Sequence, residues 1–344
     1  MQNKITSNGN LLNDNGELIE CGYATSLIKT YNRNHIKANK LRIKEWDYYL
    51  IYNDEYGVAI TVDDNSYMGL NSLTLIDFKT PKETTKSFMT FMPNGNVGLP
   101  STSEIGDVKV EKKNYSFEIT NDGRKRKIKV WVKNFDDGVD FNCEFELNKE
   151  PKESMVIMTP FKEKKTAFYY NQKIVGFKTK GKVKVGGREI EFKDDNTRAI
   201  LDWGRGVWTY KNTWYWGAGC GTIDGKEVGF NIGYGFGDTS AASENMIFID
   251  GIAHKLEDVT FNIPKDENGK DDYLSPWTFT SSDGRFEMKF TPIIDRHSNA
   301  NAIVICSNQH QVFGKFNGNI ILDNGSKIEL VDFLGFAEKV QNRW

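Results

Sequence analysis

Six dipeptides of the kind that close tight β-hairpins punctuate this chain: Asp122-Gly123, Gly186-Gly187, Asp224-Gly225, Asp250-Gly251, Asp283-Gly284 and Asn324-Gly325. Each sits between runs that alternate apolar and polar residues. A two-residue type I′ turn needs positive φ at both central positions, which Asp, Asn and Gly tolerate best. Period-two alternation suits a half-buried strand and not a helix. Helical signals are confined to Ala241 to Asn245 and to a turn or two near Phe336 to Val340. The pattern predicts an all-β fold of sandwich or barrel type, built from many antiparallel strands.

Internal repetition sharpens this. Trp46-Asp47-Tyr48-Tyr49 followed by Gly57-Val58-Ala59-Ile60 resembles Trp214-Tyr215-Trp216 followed by Val228-Gly229-Phe230-Asn231. Tyr115-Ser116-Phe117 before Asp122-Gly123-Arg124 is echoed by Trp277-Thr278-Phe279 before Asp283-Gly284-Arg285. Gly181 to Val185 with Ile190-Glu191-Phe192 corresponds to Gly318 to Leu322 with Ile328-Glu329-Leu330. Three matches in the same order predict tandem β-domains, residues 1–200 and 201–344. The alternative is one large sandwich whose hairpins look alike because they share turn chemistry.

Composition removes several functions. Lys plus Arg number 45 against 47 Asp plus Glu, so the basic footprint of a nucleic-acid binder is missing. No apolar run approaches the roughly 18 residues of a spanning helix, and Met1 to Thr6 lacks the apolar core of a signal peptide. These features predict a soluble, cytoplasmic protein with no stable membrane insertion. The four Cys stand singly, without zinc-ligand or disulfide spacing, and read as small buried residues. No metal site or cofactor is expected: His pairs at ligand spacing, a phosphate-binding loop and a nucleophile elbow are all absent. Gly233-Tyr234-Gly235-Phe236-Gly237 continues a strand and opens no helix, so it is no dinucleotide fingerprint.

The segment 201–250 carries the functional signal, with four of the eight Trp. A two-residue turn at Asp224-Gly225 fixes the register. Trp216 then opposes Gly233, Trp214 opposes Gly235 and Cys220 opposes Gly229, while Tyr215 opposes Tyr234 on the other face. Large side chains over cross-strand glycines are ordinary packing in a coiled sheet. They also make a low-relief aromatic wall for an apolar ligand, lined by Trp203, Trp208, Trp214 and Trp216 with Asn231 and Tyr234. Asp202 and Asp238 are candidates for a proton donor and acceptor, since carboxylates embedded in such a wall are rare unless paired or working. Arg205 would tune them or hold a polar head group. Glu244 is a weaker candidate, and His310 between Gln309 and Gln311 suits hydrogen bonding in a pocket. As packing, Asp238 would be a turn residue and Glu244 a helix start.

The strings LDWGRGVW, NTWYWGAG, GYGFGDTSAASENMIF, SSDGRFEMKF, QHQVFGKFNG and GFAEKVQNRW closely resemble domain of unknown function family 2804 over essentially the whole chain. More distantly the chain resembles the carotenoid hydratase and AttH-like proteins. That resemblance implies two tandem lipocalin-like, calycin-type antiparallel β-barrels and a hydrophobic small-molecule ligand of terpenoid, lipid or polyketide kind. The relatives' Asp-His-x-Trp-Gly string survives here as Asp202-Trp203-Gly204 without its histidine, so imidazole chemistry is not carried over. The expected function is a hydratase, isomerase or cyclase using acid–base chemistry. A non-catalytic lipocalin-like binder and a carbohydrate-active enzyme using paired carboxylates are the alternatives; no oligomeric state is implied.

Overall fold

A computed structural model describes residues 2–302 and 305–343. The chain forms two curled antiparallel half-barrel sheets. The first runs, in spatial order, through Lys82–Phe91, Met68–Asp77, Tyr56–Asp64, Ile43–Tyr52, Arg198–Val207, Lys164–Val185, Val139–Asn148, Arg126–Asp136, Tyr115–Asn121 and Val108–Lys112. The second runs through Ile252–Lys255, Met246–Ile249, Lys226–Tyr234, Lys211–Ile223, Lys327–Arg343, Ile305–Ile321, Phe286–Ala302, Trp277–Ser281 and Val259–Asn262. In both, the first long strand of the half pairs with its last: Ile43–Tyr52 with Arg198–Val207, and Lys211–Ile223 with Lys327–Arg343. The same closure, made twice, is the tandem lipocalin-like architecture.

All six turn dipeptides join neighbouring strands. Asp224-Gly225, Asp250-Gly251 and Gly186-Gly187 have positive φ at both positions, the left-handed values a type I′ turn needs, whereas Asp122-Gly123, Asp283-Gly284 and Asn324-Gly325 are left-handed only at the glycine and sit in longer connections, so the type I′ expectation fails there. The hairpin register is the expected one from Ile223↔Lys226 to Tyr215↔Tyr234. It stops there: Gly235 and Gly237 take φ of 91° and 74° and turn the chain away, so Trp214 and Gly235 do not continue the ladder. Neither expected helix forms. Ala241 to Asn245 is irregular, and Phe336 to Val340 lies inside the strand Lys327–Arg343, where Phe336, Glu338 and Val340 alternate onto one face.

The division expected at residue 200 falls within the strand Arg198–Val207, which belongs to the first sheet; the chain crosses to the second at Trp208 to Tyr210. Trp203 packs edge-on against Tyr31 and Tyr170 in the first core. Phe230, Phe316, Phe290 and Phe279 interlock in the second. Burying each such ring contributes roughly 1.5–3 kcal/mol. The halves are joined by polar contacts as well: the Cys220 N–H donates to the Tyr52 hydroxyl at 2.7 Å, and Arg198 forks onto Glu227 at 2.8 and 3.0 Å. Among the described residues no helix is long and apolar enough to cross a membrane.

Candidate active site

Two rungs of side chains, one from each sheet, face each other across a cavity of about 320 Å³. On the first sheet the rung is Lys173, Asp202, Tyr48, Thr61, Ser72 and Ser87, each directly opposite the next on five paired strand interfaces. On the second it is Trp216, Glu338, Gln311 and Arg296, with Trp214, Val340, Gln309 and Ser298 forming a parallel rung beside it. All of these line the cavity. Period two therefore delivers one face of each sheet to the same space.

Glycines admit the large rings. Gly204 lies opposite Trp46, and a Cβ there would overlap the indole, so the ring lies flat over it. At Gly233 a Cβ would come within 3.0 Å of the Glu244 carboxyl, so Glu244 occupies the space that side chain would take, beside Trp216. Trp46, Trp208, Trp214 and Phe236 then meet edge to face at 4.8–5.8 Å, with Tyr169 stacked on Trp46.

The polar groups are concentrated near Trp216. Lys173 Nζ lies 2.8 Å from Asp202 Oδ1 and 4.0 Å from the Trp216 ring centroid. Asn171 Nδ2 also donates to Asp202 Oδ1, at 2.6 Å. Glu338 is 3% exposed and accepts from Trp214 Nε1 at 3.0 Å, Gln311 Nε2 at 3.2 Å and Gln309 Nε2 at 3.4 Å. Gln311 in turn accepts from Arg296 Nη1 at 2.9 Å and the Tyr48 hydroxyl at 3.3 Å. Burial pushes the Glu338 carboxyl up to about 7; Trp214 and Lys173 pull it down, and Asp202 pushes it further up. Burial also raises Glu244, whose Oε2 has no hydrogen-bond partner. Also in the lining, directly opposite Trp46, Asp63 is raised by burial to about 7 against the pull of the Leu70 N–H and Lys44.

Of the residues singled out in the sequence, Asp202, Trp208, Trp214, Trp216, Glu244, Gln309 and Gln311 line the cavity. Asn231 stands behind it, accepting the Trp216 Nε1–H at 2.8 Å and donating to the Glu244 carbonyl at 2.8 Å. The others lie elsewhere. Trp203 and Arg205 point to the opposite face of their strand, as odd-numbered neighbours of Asp202 must; Arg205 pairs with Asp47 and stacks on Trp203 at 4.3 Å. Arg205 therefore does not touch Asp202. Tyr234 stacks on Tyr215 outside the cavity, one position out of phase with Trp216. His310 lies between the rings of Tyr273 and His297, on the Asp295 carboxylate at 2.7 Å.

Asp238 follows the turn at Gly235 and Gly237 to the surface. It accepts from the Ser240 N–H and lies 3.5 Å from Lys162, contacts that hold it below the usual carboxylate range. The glycine turn breaks the alternation that would have kept Asp238 on the wall, so it is not paired with Asp202. With it goes the basis for a carbohydrate-cleaving pair at those two residues. Lys173, Glu338, Arg296, Tyr48 and Asp63 were not anticipated. A lone acid between Phe336 and Val340, and a lone lysine between Tyr169 and Val175, are the sequence signals that mark Glu338 and Lys173.

Over residues 2–344 the chain matches the family described as domain of unknown function (DUF2804), and it belongs to that family. No curated protein matches it in sequence. In fold it is similar to kievitone hydratase from Nectria haematococca, at TM-score 0.52 and 13% identity over 88% of each chain. It is likewise similar to a protein assigned as AttH from Nitrosomonas europaea, at TM-score 0.55 and 14% identity over 90% of this chain and 95% of that one.

Proposed function

We propose that this member of the DUF2804 family binds an apolar or amphipathic small molecule between its two half-barrels and transforms it by acid–base chemistry: hydration, isomerisation or cyclisation. The observation that carries the reading is Glu338, a buried acid brought to about 7, lining the same cavity as the Lys173–Asp202 ion pair of the other sheet. A group titrating near neutrality gives and takes a proton most effectively there. The fold likeness to a protein named as a hydratase agrees with this reading.

In a hydration, Glu338 would protonate a substrate double bond. The aromatic faces of Trp214, Trp208 and Trp46 would stabilise the positive carbon. Water would then add, giving its proton to Asp202, and proton exchange with solvent would reset both carboxyls. Lys173 would hold the charge on Asp202, and Trp214 and Gln311 would position the Glu338 carboxyl. The test is to incubate lipid and terpenoid extracts with the wild type, Asp202→Asn and Glu338→Gln, and to follow consumption by mass spectrometry. The wild type should consume a compound that both variants leave intact. Unchanged turnover in both variants overturns the assignment, and a ligand recovered chemically unaltered from the wild type makes the protein a binder.

A further inference from the structure

The cavity wall is unbalanced in charge. Asp63, Glu83, Asp202, Glu244 and Glu338 contribute five carboxyls, against the cations of Lys173 and Arg296 and the imidazole of His297. Lys173 is committed to Asp202, and Arg296 donates to Gln311 through Nη1 while its Nε is unpartnered. Glu244 is left with an oxygen, Oε2, that no donor among the described residues reaches. That oxygen is already out of contact with solvent, so the ionised Glu244 carboxyl is short of a positive partner.

Beside Glu244 stands a set of rings suited to a cation. Trp46, Trp208, Trp214 and Phe236 pack edge to face on one another, and all four line the cavity with Glu244. Tyr169, in the same lining, stacks on Trp46 and meets Phe236 at 4.8 Å. The cavity lining already uses the same chemistry: the Lys173 ammonium rests 4.0 Å from the Trp216 ring centroid. A carboxylate and several aromatic rings lining one cavity suit an alkylated ammonium group.

We propose that the ligand of this cavity is an organic cation, an apolar skeleton bearing a protonated amine or quaternary ammonium, with the charged nitrogen held between Glu244 and the Trp46, Trp208, Trp214 and Phe236 rings. This rests on the reading of the cavity as a small-molecule site and names the class of molecule that enters it. The carboxyls raised by burial then acquire a role in binding. An arriving cation takes the place of a proton on Glu244, whose carboxyl burial raises above its ordinary range, so binding releases protons and strengthens as pH rises. The charged and polar groups that set this balance are Lys173, Asp202, Asn231 and Lys255 around Glu244, and Trp214, Gln309, Gln311, Arg296, Lys173 and Asp202 around Glu338.

The test uses two probes of one shape, benzyltrimethylammonium and its uncharged carbon counterpart neopentylbenzene, titrated against the whole chain by tryptophan fluorescence and calorimetry. At pH 8 the ammonium should bind about tenfold more tightly than the hydrocarbon. That advantage should shrink as pH falls, and calorimetry in buffers of different ionisation heat should detect proton release with the ammonium alone. Glu244→Gln should remove most of the advantage while leaving neopentylbenzene binding intact, which also certifies that the variant is folded. Equal or tighter binding of neopentylbenzene, or an ammonium advantage that survives Glu244→Gln, overturns the cation assignment and leaves the cavity reading standing. Binding of neither probe overturns both.

Discussion

The strand Arg198–Val207 carries two buried ion pairs back to back, and they differ in everything but their charges. On the face away from the cavity, Arg205 is fully buried and every arm of its guanidinium is occupied. Nη1 donates to Asp47 Oδ1 and to the carbonyls of Trp46 and Gly204, while Nε and Nη2 donate to the carbonyl of Pro100. On the cavity face, Asp202 meets Lys173, but the same cavity is lined by Glu244 with an unmatched oxygen and by Glu338 with a carboxyl raised to about 7. The first pair is complete and fixes the strand to its neighbours. The second is set among groups left incomplete by the protein, and incompleteness at a buried site is where a ligand or a proton has work to do.

The sharpest way to break this contrast is to remove one partner from each pair. Arg205→Met should strand Asp47 and several carbonyls and cost about 3–5 kcal/mol in urea unfolding, whereas Lys173→Met should cost distinctly less, because Asn171 still donates to Asp202. Equal losses would erase the distinction. Asp202→Asn should lower turnover of the eventual substrate by roughly a hundredfold to ten-thousandfold while shifting the unfolding midpoint little; a fall in stability that accounts for the lost activity would return Asp202 to a structural role.

The next effect is in pH dependence. Glu338 has a folded pKa of about 7, above its ordinary 4.5, so its contribution to stability is fully present below pH 4.5 and is lost as pH rises through 7. The wild type should therefore lose on the order of 3 kcal/mol between about pH 5 and 8 from this group, and Glu338→Gln should flatten that slope. If Glu338 is the proton donor, activity should fall over the same range. The smallest effect belongs to the support of the wall: Trp216→Phe leaves the Asn231 oxygen without its donor and should cost about 1 kcal/mol in thermal unfolding.

What could be read in the sequence was whatever depends on neighbours in the chain. The Asp-Gly and Asn-Gly turns, the Trp216↔Gly233 register and the duplicated hairpins are local, and each is in place. The site was legible only in part because it is assembled from strands distant in sequence. Lys173 meets Asp202 across a strand pair, and Glu338 meets Trp216 across the closure of the second half-barrel. Nothing in the segment 201–250 announces either partner. Two placements turned on backbone detail instead. Strict alternation puts Arg205 on the far side of the strand from Asp202, and two left-handed glycines carry Asp238 off the wall to the surface.

The central claim is that Glu338 is an acid poised near neutrality inside the cavity. Infrared titration of its carboxyl stretch, assigned by subtraction of Glu338→Gln, tests it without any substrate. The account predicts a midpoint of about 7. A midpoint at the ordinary 4.5 of an exposed glutamate would contradict it.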